Sequence, residues 1–175
     1  MKKFPILASG RLILRQFKDE DLADVFSGLS DSYVIRYYGV RYDTMEATRE
    51  QMKFFADLEA ERTGLWWAVC CAVDGTFYGA GGFNNWSHIH HKAEVGFWLL
   101  PAFWGNGIMT EAMPMLCKYG LEQMDLHRIE GFVEAENQQC KSALSKLGFV
   151  HEGTMKQCEF KDGRYIDLEI HAMIS

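Results

Sequence analysis

The segment Trp104-Gly105-Asn106-Gly107-Ile108-Met109-Thr110-Glu111-Ala112 has the residue types and spacing best suited to chemistry. It follows the apolar run Val95-Gly96-Phe97-Trp98-Leu99-Leu100, which reads as a buried strand, and precedes a helical segment. Strand, glycine-rich turn and helix start together make a device for holding phosphate. Glycines let the backbone approach an anion, and the first unpaired N–H groups of the helix point at it. The helix dipole adds roughly half a positive charge there. The loop carries no lysine or arginine, so a phosphate bound here would be held by backbone amides, as suits the pyrophosphate of a cofactor. A P-loop is excluded because Gly-Lys-Ser/Thr is missing, and a dinucleotide fingerprint because the third glycine is missing. A tight turn without any ligand is the competing interpretation.

A second constellation begins 30 residues after Gly107, where Asn137-Gln138-Gln139-Cys140-Lys141-Ser142-Ala143-Leu144-Ser145-Lys146-Leu147-Gly148-Phe149 reads as a short helix closed by glycine. The elements that must position both segments follow from periodicity. Arg11–Phe17 reads as a strand with Leu12 and Leu14 on one face. Leu22, Val25, Phe26 and Leu29, preceded by Asp19, Glu20 and Asp21, form the apolar face of a helix with acids at its positive end. Asp43 and Glu46 resemble a capping box opening a second helix toward Arg62. Leu65–Val73 and Thr76–Phe83 read as a hairpin turning at Asp74-Gly75. Further strands are expected over Lys92–Leu100, Arg128–Ala135, Val150–Phe160 and Tyr165–Ile174, the last pair turning at Asp162-Gly163. Early strands and later alternation with helices predict an α/β class with a mixed sheet.

The chain of 175 residues fits one domain over 1–175, with 48% hydrophobic and 24% charged residues, ordinary for a soluble protein. No apolar run approaches the roughly 20 residues of a membrane span, and Met1-Lys2-Lys3-Phe4-Pro5 lacks a signal peptide's apolar stretch. Five cysteines in no regular framework predict reduced thiols in a cytoplasm. A net charge of −6 argues against a general nucleic-acid binder and mildly favours a cationic amine as substrate. His88, His90 and His91 invite a metal reading, but no acid or cysteine accompanies them at a ligand spacing, so a solvated loop is expected and no metal.

Together the two constellations resemble the GNAT superfamily of acetyl-CoA-dependent N-acetyltransferases. Trp-Gly-x-Gly-x-x-Thr-Glu-Ala followed by Asn-x-x-Ser-x-x-x-Leu-x-Lys-Leu-Gly-Phe is the pattern of its ribosomal-protein N-terminal acetyltransferase (RimJ/RimL-like) branch. Gly10-Arg11-Leu12-Ile13-Leu14-Arg15 matches that branch's first strand. Glu152-Gly153-Thr154 through Asp162-Gly163-Arg164-Tyr165-Ile166-Asp167 matches its last hairpin. The resemblance implies a twisted, mostly antiparallel mixed sheet of six or seven strands, splayed between strands 4 and 5 and flanked by about four helices. Relatives often dimerise, so a homodimer is a further expectation.

The same resemblance implies site roles. Backbone groups of Trp98, Leu99 and Leu100 would pair with the pantetheine arm of acetyl-CoA. The N–H groups of Trp104, Gly105, Asn106, Gly107, Ile108, Met109 and Thr110 would hold its pyrophosphate, and Asn137 would hydrogen-bond the pantetheine. The indole rings of Trp98 and Trp104 are expected to pack. Attack on a thioester needs a base, because free alkyl amines hold their proton until about pH 10. Glu94 is the first candidate and Glu134 the second, each with a structural carboxylate as its alternative. Cys140 stands where the family has serine. Its reference pKa, near that of coenzyme A's thiol at about 8.5, would allow balanced proton transfer to the leaving thiolate or an acyl-cysteine. A small residue lining the tunnel is the alternative.

The chain is thus expected to acetylate a primary amine by direct attack in a ternary complex, first a peptide or protein N-terminal α-amine. The alternatives are a small-molecule amine, or a lapsed enzyme that senses acyl-CoA. Tyr33, Arg36, Tyr37 and Tyr38 follow the first helix, which in this family helps shape the acceptor pocket. Pro114 inside the motif helix predicts a kink or a displaced start.

Overall fold

A computed structural model describes residues 3–175. The strands are β1 (Leu7–Ala8), β2 (Leu12–Arg15), β3 (Leu65–Cys71), β4 (Phe77–Ser87), β5 (Lys92–Leu99), β6 (Arg128–Glu134), β7 (Val150–Lys161) and β8 (Arg164–Ile174). The helices are α1 (Leu22–Leu29), α2 (Ser32–Ile35), α3 (Met45–Glu61), α4 (Ile108–Gln123) and α5 (Gln138–Lys146). One eight-stranded sheet runs β1-β2-β3-β4-β5-β6-β8-β7, and every neighbouring pair is antiparallel except β5–β6. The count exceeds the expected six or seven because β1, two residues long, is too short to show a period. The fifth helix, α2, is a single turn capped by Asp31, whose side chain accepts from the N–H groups of Tyr33 and Val34.

The middle of the sheet is buried on both faces, which explains why β3 is apolar without alternation from Leu65 to Cys70. On one face Leu12, Leu14, Trp67, Phe83, Ala93 and Leu99 pack with Met113 and Leu116 of α4 and Leu144 of α5. On the other, Trp66, Ala68, Cys70, Ala80 and Trp98 pack with Val25 and Leu29 of α1 and Phe55 and Leu58 of α3. Two glycines make the second face possible. A Cβ on Gly28 of α1 would lie 2.2 Å from the Trp98 ring, and one on Gly96 of β5 would lie 2.7 Å from the Trp66 ring. The start of α3 corrects the capping expectation. Thr44, not Asp43, is the N-cap and accepts from Ala47 N–H at 3.1 Å, while Glu46 pairs with Arg49.

The two hairpin turns form where the sequence placed them. Gly75 has φ +77°, and Asp162 and Gly163 have φ +49° and +81°, the double left-handed conformation that Asp-Gly favours between strands.

The joint between the two halves of the sheet is short. β5 and β6 register only as Lys92–Arg128, Ala93–Ile129 and Glu94–Glu130. Glu130 is buried there and clasps both strands, accepting from Lys92 Nζ at 3.2 Å and from Arg128 Nε at 2.7 Å. Arg128 also holds Glu152 of β7, at 2.9 and 2.5 Å. Burial pushes the Glu130 carboxyl up, but its bonds to Arg128 and Lys92 outweigh this and hold it below the ordinary range. A depressed carboxyl stabilises the fold above its unfolded-state pKa of about 4.3 and loses that contribution as pH falls further. Glu130→Gln is therefore expected to lower unfolding free energy at pH 7 by about 3 kcal/mol. In urea titrations this difference should shrink below pH 4. A gap independent of pH would contradict the charged clasp.

Candidate active site

Beyond Glu94 the two parallel strands part, and the expected splay lies between these two strands. β5 remains paired to β4 along its outer edge, and β6 to β8 from Arg128 to Glu134. Main-chain direction decides what faces the opening. Leu100 N–H donates to Tyr78 O at 2.9 Å, and Leu100 O accepts from Phe103 N–H at 3.0 Å. Both polar groups of Leu100 thus already have partners within the protein. Because directions alternate in an antiparallel pair, Trp98 also points its main chain at β4. The residues that turn N–H and C=O toward the opening are Val95, Phe97 and Leu99. Of these, Leu99 is among the residues expected from the sequence and Phe97 is not, because periodicity gives side-chain faces and not hydrogen-bonding edges. Leu99 O accepts from the Trp104 indole N–H at 2.9 Å, which leaves its N–H as the group for a ligand.

After β5 the chain makes a 3-10 turn over Pro101–Phe103 and enters the glycine loop. Gly105 and Gly107 have φ +77° and +72°, conformations an L side chain rarely adopts. Gly107 is the N-cap of α4 and offers no side chain to its orphan N–H groups, whereas α2, α3 and α5 are capped by Asp31, Thr44 and Asn137. The N–H groups of Ile108, Met109 and Thr110 therefore suit an anion. Ile108 is buried and anchors the turn, while Trp104, Gly105, Asn106 and Thr110 are exposed. Asn106 Nδ2 donates to Trp104 O at 3.4 Å. Glu111 is bonded by Ser9 Oγ and Arg11 Nε, which hold its carboxyl below the ordinary range. These partners come from the other end of the chain, and no local signal pairs them. α4 begins at Ile108, so Pro114 does not displace its start, and the helix runs without a break to Gln123.

Glu94 lies where the strands separate, half-buried on the face shared with Trp66 and Trp98. Its Oε1 accepts from Asn85 Nδ2 at 2.9 Å, a neutral partner. Asn84, registered beside it, accepts from Trp66 Nε1 at 2.7 Å. Glu134, at the far end of β6, is 8% exposed and in a different situation. Lys161 Nζ from the β7–β8 hairpin bonds both its carboxylate and Arg36 O, the latter at 2.7 Å. This ties the hairpin tip to the segment after α2, where the Arg36 guanidinium lies 5.1 Å from the Tyr37 ring centroid. Tyr38 packs into the core, whereas Tyr33 is exposed.

Across the opening, Asn137 caps α5. Its Oδ1 accepts from Cys140 N–H at 3.1 Å, and Nδ2 is left as a donor. Lys141 steadies this end by donating to Ala135 O at 2.8 Å and Glu169 at 2.9 Å. Burial pushes the Cys140 thiol up to about 11. The reference value behind a balanced exchange with a coenzyme thiol is therefore not the value of Cys140 in this site.

Two of the three loop histidine rings have backbone partners. His88 Nε2 lies 2.8 Å from Arg62 O and His91 Nδ1 lies 3.0 Å from Asp125 O, while His90 N–H donates to Ser87 Oγ. Among the described residues no three His, Cys, Asp or Glu side chains gather as metal ligands would.

Comparison with known proteins agrees with this geometry. Residues 11–150 match the family model described as an acetyltransferase (GNAT) domain. YoaA, an uncharacterized N-acetyltransferase of Bacillus subtilis (strain 168), is 31% identical over 172 residues, 98% of this chain and 97% of the relative. The spermidine N(1)-acetyltransferase of Escherichia coli (strain K12) is 24% identical over 163 residues, 87% of this chain and 80% of that protein. Among solved structures, RimL, a ribosomal L7/L12 alpha-N-protein acetyltransferase in complex with coenzyme A, gives a TM-score of 0.88. It is 23% identical and covers 97% of this chain and 98% of its own. The chain belongs to the GNAT family of acetyltransferases.

Proposed function

We propose that this acetyltransferase moves an acetyl group from acetyl-CoA to the N-terminal α-amine of a peptide or protein, by direct attack in a ternary complex. The observation that carries the reading is the parting of β5 and β6 immediately after Glu94, with a carboxylate at the closed end and an uncapped helix N-terminus at the open end. Acetyl-CoA would supply the acyl thioester. The main chain of Phe97 and Leu99 would hold the pantetheine arm as a neighbouring strand would. The loop N–H groups through Thr110 would hold the pyrophosphate, and Asn137 Nδ2 would donate from the opposite side. A Glu94 carboxylate oxygen would accept the amine proton, directly or through one water, as nitrogen bonds to the acyl carbon and the thiolate departs.

Charge favours a single amine over a polyamine. A polyamine needs several uncompensated carboxylates along its length, yet Glu130, Glu134 and Glu136 each hold a cation, from Lys92 and Arg128, Lys161 and Arg164 respectively. Glu94 alone of this set has a neutral partner. Glu134 is better suited to fastening the hairpin than to taking protons, since Lys161 already occupies it. Cys140 is assigned to lining the tunnel, because its raised pKa makes it both a weak proton donor and a sparse thiolate. Free thiols at Cys70, Cys71, Cys117, Cys140 and Cys158 suit a reducing compartment such as the cytoplasm.

The direct test is incubation with isotope-labelled acetyl-CoA and a pool of short peptides, polyamines and amino sugars, read by mass spectrometry. Label is expected on peptide N-termini. Label on spermidine or another small amine alone would replace the acceptor assignment, and binding of acetyl-CoA without any label would favour a sensor. Paired variants test the roles. Glu94→Gln should cut turnover about 100-fold at pH 7 and leave coenzyme A affinity within about twofold. Cys140→Ala should keep turnover within about threefold at every pH. Wild-type turnover in the first variant, or a large pH-dependent loss in the second, would reverse the corresponding assignment.

A further inference from the structure

The glycine loop lacks a cation of its own, but the fold brings one to it. Arg11, at the turn into β2, places Nη2 3.2 Å from the position a Cβ on Gly107 would occupy. Its Nε donates to Glu111 Oε2, and the other oxygen of Glu111 accepts from Ser9 Oγ. The contact with Glu111 holds the Nε edge of the guanidinium. Nη1 and Nη2 make no hydrogen bond among the described residues, and the side chain is half-exposed. A guanidinium with two donor nitrogens not engaged by the described residues therefore sits beside the N-cap residue, next to N–H groups that no side chain caps.

We propose that Arg11 binds the pyrophosphate of the coenzyme, adding a charged fork to the backbone amides of the loop. This rests on the assignment of the loop as the pyrophosphate seat. Arg11 has a second effect at the same place. Glu111 lies in the first turn of α4, where its negative charge would repel a bound phosphate unless a cation covers it. Arg11 covers it and still presents Nη1 and Nη2 to the ligand, a division of labour that the five donors of a guanidinium permit and an ammonium does not. Gly107 is then required twice over, for its left-handed backbone and for the space the guanidinium occupies.

The test is calorimetric titration of wild type, Arg11→Gln and the double variant Arg11→Gln/Glu111→Gln with coenzyme A, 3′-dephospho-coenzyme A and S-acetylpantetheine. Wild type should bind both nucleotide ligands more tightly than S-acetylpantetheine; equal affinities would overturn the loop as a pyrophosphate seat and this proposal with it. Given that preference, Arg11→Gln should weaken coenzyme A and the dephospho form alike, by about 10- to 100-fold, and leave S-acetylpantetheine unchanged. The double variant should recover part of the loss, because the uncovered carboxylate is removed. Unchanged coenzyme A affinity would overturn the role of Arg11 while leaving the seat intact. Equal weakening of all three ligands would show a structural effect instead, and loss confined to coenzyme A would move the contact to the 3′-phosphate.

Discussion

A three-residue parallel joint between β5 and β6 is the constraint on which the site depends. On one side of it, β1 to β5 form an antiparallel half-sheet; on the other, β6, β8 and β7 form a second. Each half is held by its own ladder, so the joint need bear no load beyond Glu94. Lys92 and Arg128 fasten it through the buried carboxylate of Glu130 at the closed end. Such pairs add little net stability over apolar packing, but breaking one leaves a buried charge without a partner. The outward direction of the Phe97 and Leu99 main chain is set separately, by the pairing of β5 with β4.

The loop and the joint work as one device. Parallel strands send their following helices to the same end of the sheet, so α4 and α5 both begin beside the opening. The start of α5 is occupied by its own cap, Asn137, which leaves an amide donor. The start of α4 is left open by Gly107. One helix can thus take an anion while the other contributes a neutral hydrogen bond, as a ligand with a diphosphate head and an amide-bearing arm requires. On the opposite face, Trp66 over Gly96 and Trp98 against Gly28 hold β5 flat against α1 and α3 without blocking its free edge.

Much of this was legible in the sequence. The Asp74-Gly75 and Asp162-Gly163 turns, the α1 face of Leu22, Val25 and Leu29, and the glycine loop all carry local signals. β1 and α2 were not legible, since two residues and one turn are too short for a period. Which main-chain groups of Trp98, Leu99 and Leu100 face the opening was not legible either: hydrogen-bonding edge depends on the partner strand, and Leu100 N–H on Tyr78 O reveals it. Long-range charge was invisible as well. Nothing near Glu111 points to Ser9 and Arg11, and nothing near Glu134 points to Lys161. The raised pKa of Cys140 likewise follows from burial, which residue type alone does not give.

Amide exchange along β5, resolved by NMR with and without coenzyme A, tests most directly whether the free edge of this strand is the coenzyme seat. Exchange at Phe97 and Leu99 should slow on binding, while Leu100, already bonded to Tyr78, should change little. Unchanged exchange at Phe97 and Leu99 in a protein saturated with coenzyme A would contradict it.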